Sequence, residues 1–229
     1  MTSSFSSAEN VPATSEITYY VALASPWAYL GHERFWKLAR DHDARIRLRP
    51  IDLAGQVFPV SGGVPLENRS AARKAYRLVE LRRFSQGLNV PMVLEPRYFP
   101  VDGELASKIV VAADHCLGAT AAMRLTAAIM SAIWRDERDI ADPFVMRGLI
   151  TALGLPGNLL EISQRPAVAR AYMANARFAN KQGVFGVPSY VLNGEVFWGQ
   201  DRLDFLAMAL SRTNCSGLSR RHPPLESFR

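Results

Sequence analysis

Three observations predict an α/β fold. A strand-helix-strand pattern opens the chain at residues 17–50, a strand-strand-helix pattern closes it at residues 184–211, and the hydrophobic spacing between them is helical. The two ends therefore make one sheet layer interrupted by an all-helical insertion. In domain terms, residues 1–16 read as a disordered leader, 17–66 and 183–212 as a discontinuous sheet domain, 67–182 as a helical insertion domain, and 213–229 as a disordered basic tail.

Each element has a local reason. Ile17 to Leu23 is rich in β-branched and aromatic residues and reads as a strand. Ser25 then offers a capping oxygen and Pro26 an ideal first helical residue, opening a helix with Leu30, Phe35, Trp36 and Ala39 available for burial. Arg45 to Arg49 alternates strictly and makes a second strand ending at Pro50. Leu53 to Asn68, with its glycines and prolines, is a loop; Ser70 to Gln86 is helical; Asn89 to Val101, with three prolines, is an irregular connector.

Asp102 caps the next helix, which Gly118 closes. Ala119 to Trp134 is another, Asp142-Pro143 starts a third that ends at Gly154, and Pro166 starts a fourth that continues to Gln182. Val184 to Leu192 returns to strand composition. Asn193-Gly194 is a strong hairpin signal, Glu195 to Trp198 is its partner strand, and Gln200 to Ser211 is an amphipathic helix with Leu203, Leu206 and Leu210 on one side.

Composition excludes several classes. The chain has 229 residues and 48% hydrophobic content, enough for a real core. Residues 1–16 have neither a cationic start nor an apolar run, so no secretory signal is expected, and no stretch approaches the roughly 18 apolar residues of a membrane span. The two cysteines, Cys116 and Cys215, have no metal-like or CxxC spacing, which argues against a disulfide framework or a metal site and favours the reducing cytoplasm. The net charge of +6 is concentrated in Arg69 to Arg83 and the tail, a solvated helix face or a basic rim for anionic small molecules. Aromatics do not interleave with it as in nucleic-acid modules, so no nucleic-acid partner is expected.

Three stretches carry chemistry. Ser25-Pro26-Trp27-Ala28 stands between a strand and a helix, where a thioredoxin-type redox enzyme carries Cys-Pro-x-Cys, and has no cysteine at position 25 or 28. Dithiol exchange is thereby excluded, and any sulfur chemistry needs a borrowed thiol. Alone, Ser25 is a helix cap; the same helix start also favours an anion, and a thiolate held there has a lowered pKa. Gly183 to Tyr190 places Pro188 at a strand mouth, where a cis Val187-Pro188 bond would leave Val187 backbone groups facing a cleft for an extended peptide. Gln200 and Asp201 begin a second helix, either as ordinary first-turn polar residues or as a site for the carboxylate and ammonium of a free amino acid.

These stretches resemble the kappa-class glutathione transferases and, more closely, the bacterial 2-hydroxychromene-2-carboxylate isomerases of the DsbA-like thioredoxin superfamily. The likeness runs from about Ile17 to Ser211 and rests on Ala24 to Leu30, Arg73 with Tyr76 and Arg83, Phe99-Pro100-Val101, Trp134 with Asp139 to Pro143, Gly183 to Pro188, and Phe197 to Leu203. It implies a thioredoxin-like sheet layer, glutathione as cofactor, Ser25 as the catalytic serine beside its sulfur, Val187 before cis-Pro188 pairing its cysteinyl backbone, and Gln200, Asp201 and Arg202 holding its γ-glutamyl end. It also implies a homodimer, a small aromatic carboxylate substrate, and isomerisation of a ring-closed hydroxychromene carboxylate to an open-chain benzylidenepyruvate. Thiolate addition, bond rotation and elimination accomplish this without net redox change.

Trp27, Tyr29, Phe58, Arg73 and Tyr98 are candidates for the substrate pocket, although for each aromatic taken alone core packing is the stronger reading. The family commonly carries a Lys and an Asn in the loop after the second strand, and Pro59 and Gly63 stand there in this chain, with Arg69 or Arg73 able to compensate. Two rival readings stay open: a kappa-like transferase that conjugates glutathione to electrophiles, and a non-catalytic thioredoxin-like module that binds a peptide at the Val187-Pro188 edge.

Overall fold

The structure is a computed structural model that describes residues 14–219. Four strands form its sheet: β1 (Glu16–Val21), β2 (Arg45–Pro50), β3 (Ser189–Leu192) and β4 (Glu195–Trp198), in the order β2-β1-β3-β4. β1 pairs parallel with β2, Ile17 opposite Ile46, and antiparallel with β3, Tyr19 opposite Tyr190; β3 and β4 form the hairpin. Asn193 (φ 51°) and Gly194 (φ 85°) take the left-handed conformations that a tight two-residue hairpin turn needs.

Helix α1 (Pro26–Asp41) starts at the Ser25 cap and buries Leu30, Phe35 and Ala39. α2 (Phe58–Ser61) is a single turn. Five helices follow: α3 (Ala71–Gly87), α4 (Glu104–Leu117), α5 (Ala119–Trp134), α6 (Pro143–Ala152) and α7 (Leu159–Ser163). α8 (Pro166–Lys181) and α9 (Leu203–Ser219) flank the hairpin.

Alternation in β1 sends its side chains to two cores. Tyr19 lies in the large one, stacked on Tyr190 (5.2 Å between centroids) and tilted against Phe35 (4.7 Å), each such pair worth about 0.5–1.5 kcal/mol beyond area burial. Helices α4 and α5 complete that core with Ile109, Met123, Ile133 and Trp134. Tyr20 faces the other way, into a small core with Val57, Ala176, Ala179 and Val191, and its hydroxyl donates to Gln182 Oε1 at 2.6 Å. The reading of an α/β sheet layer with an intervening helical block agrees with this arrangement.

Several boundaries differ for physical reasons. α8, assigned from sequence to the helical block, packs on the sheet: buried Asn175 donates to Pro50 O (3.0 Å) and accepts from Arg49 Nη1 (2.8 Å). The segment expected as loop over Leu53 to Asn68 contains a π turn (Leu53–Val57), α2 and a 3₁₀ turn (Leu66–Asn68). The cap of α4 is Gly103, while Asp102 Oδ1 accepts from Glu104 N at 2.9 Å, so Asp102 still satisfies a first-turn donor. The strand expected from Val184 begins at Ser189, after Pro188, which has no N–H for a ladder. Glu16 belongs to β1, whereas residues 1–13 of the expected leader lie outside the described residues. α9 continues to Ser219, past the expected start of the tail at Thr213, because no proline precedes Pro223 to stop it; residues 220–229 lie outside the described residues.

Candidate active site

A cavity of about 630 Å³ opens where the parallel strands end. The turns after β1 (Ala22 to Trp27) and β2 (Ile51 to Ala54) form one side, and Phe185 to Val187 with Trp198 form the next. The loop from Phe58 to Arg69, with Arg73 and Arg77 of α3, and the connector Phe99 to Gly103 complete the wall.

Ser25 sits on this wall in extended conformation (φ −78°, ψ 122°), and its Oγ accepts from Ala28 N at 3.3 Å. Pro26 has no N–H, and Tyr29 N donates to Ser25 O at 3.1 Å. That leaves the Trp27 N–H as the free donor of the first turn among the described residues. Because the cap uses Ser25 Oγ as an acceptor, its hydroxyl proton remains available to an anion beside it.

Val187 lies on the same wall, and its peptide bond to Pro188 is cis. The ladders of β3 reach no further than Ser189, so Val187 stands just outside both of them. Gly199 N donates to Pro188 O at 2.9 Å and ties the end of β4 to this turn. A Cβ at Gly186 would overlap Trp198 Nε1, so glycine there lets the indole lie against this turn. Phe185 meets Trp198 edge-on (4.7 Å), and Ser61 Oγ donates to Phe185 O at 3.5 Å, joining the α2 loop to this side.

The structure brings Ser25, Val187, Trp27, Phe58 and Arg73 together on the cavity wall. Buried Pro188 backs Val187 without lining the cavity. Gln200, Asp201 and Arg202 stand off it. Gln200 is 2% exposed, and its Oε1 and backbone O accept from Arg34 Nη1 at 3.0 and 3.4 Å, so its expected ligand partner meets a competitor. Asp201 pairs with Arg202 at 3.1 Å. Arg202 lines a second hollow of about 400 Å³, and the Trp198 indole is a wall common to both spaces.

Two expected pocket residues lie elsewhere. Tyr29 donates to Pro91 O at 2.6 Å, since residues two apart on a helix point to different faces and Trp27 takes the cavity side. Burial raises the Tyr29 pKa, with Arg135 opposing. Tyr98 is exposed beneath the Arg97 guanidinium (5.3 Å), in a turn closed by Phe99 N donating to Pro96 O (3.0 Å), while its neighbour Phe99 turns inward, onto Trp134 (4.7 Å). Pro59 is exposed and off the wall, and Gly63 lies directly under the Phe58 ring. The Phe58 ring therefore covers this part of the loop, where Pro59 and Gly63 offer no polar side chain.

Sequence reasoning passed over Arg77, Tyr172, Ser107 and Trp198 as wall residues. Arg77 is half-buried, with its guanidinium over Phe99 (5.2 Å) and Trp134 (5.9 Å). Burial lowers its pKa to about 10, with Arg69 adding to the shift and Glu95 opposing it. Tyr172 has its pKa raised mainly by burial, and Ser107 hydrogen-bonds its hydroxyl. The four-residue spacing of Arg73 and Arg77 on α3 was a readable sign that they share a face, whereas Arg69 stands in the loop before the helix; the packing of Arg77 on distant rings was not readable.

Residues 16–211 match the family described as DSBA-like thioredoxin domain. The 2-hydroxychromene-2-carboxylate isomerase of Pseudomonas putida is 31% identical over 201 residues, covering 86% of this chain and 94% of that protein. Glutathione S-transferase kappa 1 of Rattus norvegicus is 25% identical over 213 residues, covering 87% and 92%. A solved 2-hydroxychromene-2-carboxylate isomerase structure superposes with a TM-score of 0.77 at 24% identity, covering 90% of this chain and 100% of that one.

Proposed function

The chain belongs to the DSBA-like thioredoxin family and, within it, to the 2-hydroxychromene-2-carboxylate isomerases, and from that premise we propose a glutathione-dependent isomerase of an aromatic, enone-like carboxylate. One observation carries the reading: Ser25, at the start of α1, and Val187, before a cis proline, share one cavity wall, and no cysteine is among the described residues that line it. A glutathione cysteinyl unit paired to the Val187 backbone would put its sulfur near the Ser25 hydroxyl and the Trp27 N–H. Both donors favour the thiolate over the thiol.

Chemistry then follows from the thiolate. The ring-closed substrate opens to a phenol and a cis enone. The thiolate adds to the β-carbon, forming a C–S bond and leaving the electron pair on the enolate oxygen. The former double bond, now single, rotates. The enolate pair returns, the C–S bond breaks, and the trans alkene leaves with the thiolate regenerated. The reaction suits a cytoplasmic site, where glutathione is abundant as a free thiol, and the homodimer that the resemblance implies is carried with this reading.

At the γ-glutamyl end, Trp198 offers an indole face and Arg202 a cation in the adjoining hollow, while Asp201 would take an ammonium by exchanging its ion pair with Arg202. Calorimetric titration with glutathione tests the whole reading. Saturable binding at millimolar concentration or below is expected, followed by ultraviolet-monitored turnover of a hydroxychromene carboxylate without glutathione consumption. Absence of binding would remove the proposal; consumption of glutathione would favour a conjugating transferase.

A further inference from the structure

The cavity wall carries more uncommitted positive charge than a thiol site needs. Arg69, Arg73 and Arg77 all line it, and among the described residues none of them forms an ion pair. The carboxylates on the same wall are mostly committed. Asp52 Oδ1 accepts from Gly55 N (2.8 Å), Asp102 Oδ1 from Glu104 N (2.9 Å), and Glu104 pairs with Lys108; Glu67 remains, next to Arg69. Arg69 itself donates from Nε to Val64 O at 2.9 Å.

Arg77 is the most constrained of the three. Phe99 and Trp134 hold its guanidinium plane, and its buried Nη2 has no hydrogen-bond partner. A half-desolvated cation with no ion pair, and with Glu95 acting on it only from beyond contact distance, is costly, and an arriving anion relieves that cost with a charge-assisted hydrogen bond. The rings of Phe99 and Phe58 lie on the same wall and suit a flat apolar body attached to that anion.

Resting on the isomerase reading, we infer that Arg77, supported by Arg73 one turn before it, is the specificity-determining residue that receives the substrate carboxylate. It does so beside a loop where Pro59 and Gly63 offer no polar side chain. The cavity therefore selects aromatic carboxylates over neutral aromatics of the same shape.

Cinnamate and cinnamamide, matched in shape and differing in charge, test this by calorimetric titration of the full chain without glutathione. Cinnamate should bind about tenfold or more tightly than the amide. Arg77→Met should abolish that preference, Arg77→Lys should retain part of it, and Arg73→Gln should reduce it less than Arg77→Met. Equal binding of acid and amide by the parent protein overturns the assignment, as does failure of the parent to bind cinnamate. An Arg77→Met protein with an unchanged melting curve and undiminished preference also overturns it. Should Arg77→Met fail to fold, the parent acid-amide comparison and the Arg77→Lys variant still decide. These titrations contain no thiol, so they stand apart from the glutathione titration, whose failure would strike the isomerase reading instead.

Discussion

Gly31 of α1 lies so close to Gln200 that a Cβ on the glycine would stand 2.6 Å from Gln200 Cβ and 3.3 Å from its Cα. The first helix and the turn that opens α9 are therefore held at a separation that only glycine permits. Gly31→Ala gains about 1 kcal/mol of helix propensity, but overpacking costs about 1–3 kcal/mol, and the rigid Gln200 backbone gives little room for relief. Net destabilisation is expected, read as a lower urea midpoint; an unchanged or higher midpoint would contradict the close approach.

Ser25→Ala separates the two duties of one hydroxyl. Loss of the cap to Ala28 N costs about 1 kcal/mol in folding. Turnover should fall much further, by about a hundredfold, if Ser25 also donates to the glutathione sulfur. Comparable kcat values for parent and variant would remove Ser25 from the chemistry and leave it a cap.

His32 predicts an acid limit to stability. It is 1% exposed, its Nε2 is 3.1 Å from Met123 O, and burial pushes its pKa from 6.5 down to about 4, against a smaller opposing effect of that hydrogen bond. The folded chain keeps the ring neutral while the unfolded chain takes up a proton. Stability is thus fully present above pH 6.5 and declines as pH falls towards 4, by roughly 3 kcal/mol. His32→Phe should flatten this part of the profile in urea melts at a series of pH values. Equal losses in parent and variant would assign the acid sensitivity to other groups.

Trp198 is the partition between the main cavity and the hollow at Arg202. If glutathione spans both, Trp198→Ala removes a contact along its length and should weaken binding by about tenfold, roughly 1–2 kcal/mol, with a near-native melting temperature because the indole is 49% exposed. Unaltered glutathione affinity would place the tripeptide elsewhere.

What could be read in the sequence was what short-range chemistry determines. Ser25-Pro26 starts a helix, Asn193-Gly194 turns a hairpin, and alternation in Arg45 to Arg49 makes a strand, because each signal acts within a few residues. The resemblance extended that reach to Ser25 and Val187, which do share a wall. Gln200 was different: its partner Arg34 is 166 residues away, and nothing in Gln200-Asp201-Arg202 reports it. Tyr29 was misplaced because its position relative to Trp27 depends on which face of α1 meets the cavity. Arg77 was missed because Phe99 and Trp134 reach it from other elements.

Sheet order has a consequence for how the protein is made. β1, the strand leading to Ser25, lies between β2 and β3, and β3 follows Val187 late in the chain. During ribosomal synthesis β1 and β2 can associate early, but one edge of β1 stays open until nearly the whole polypeptide has emerged. Ser25 and Val187 meet only when that last seam closes. A prematurely terminated chain would therefore be unable to bring Ser25 and Val187 onto one wall, so the cavity between them is assembled only when synthesis and folding are nearly complete.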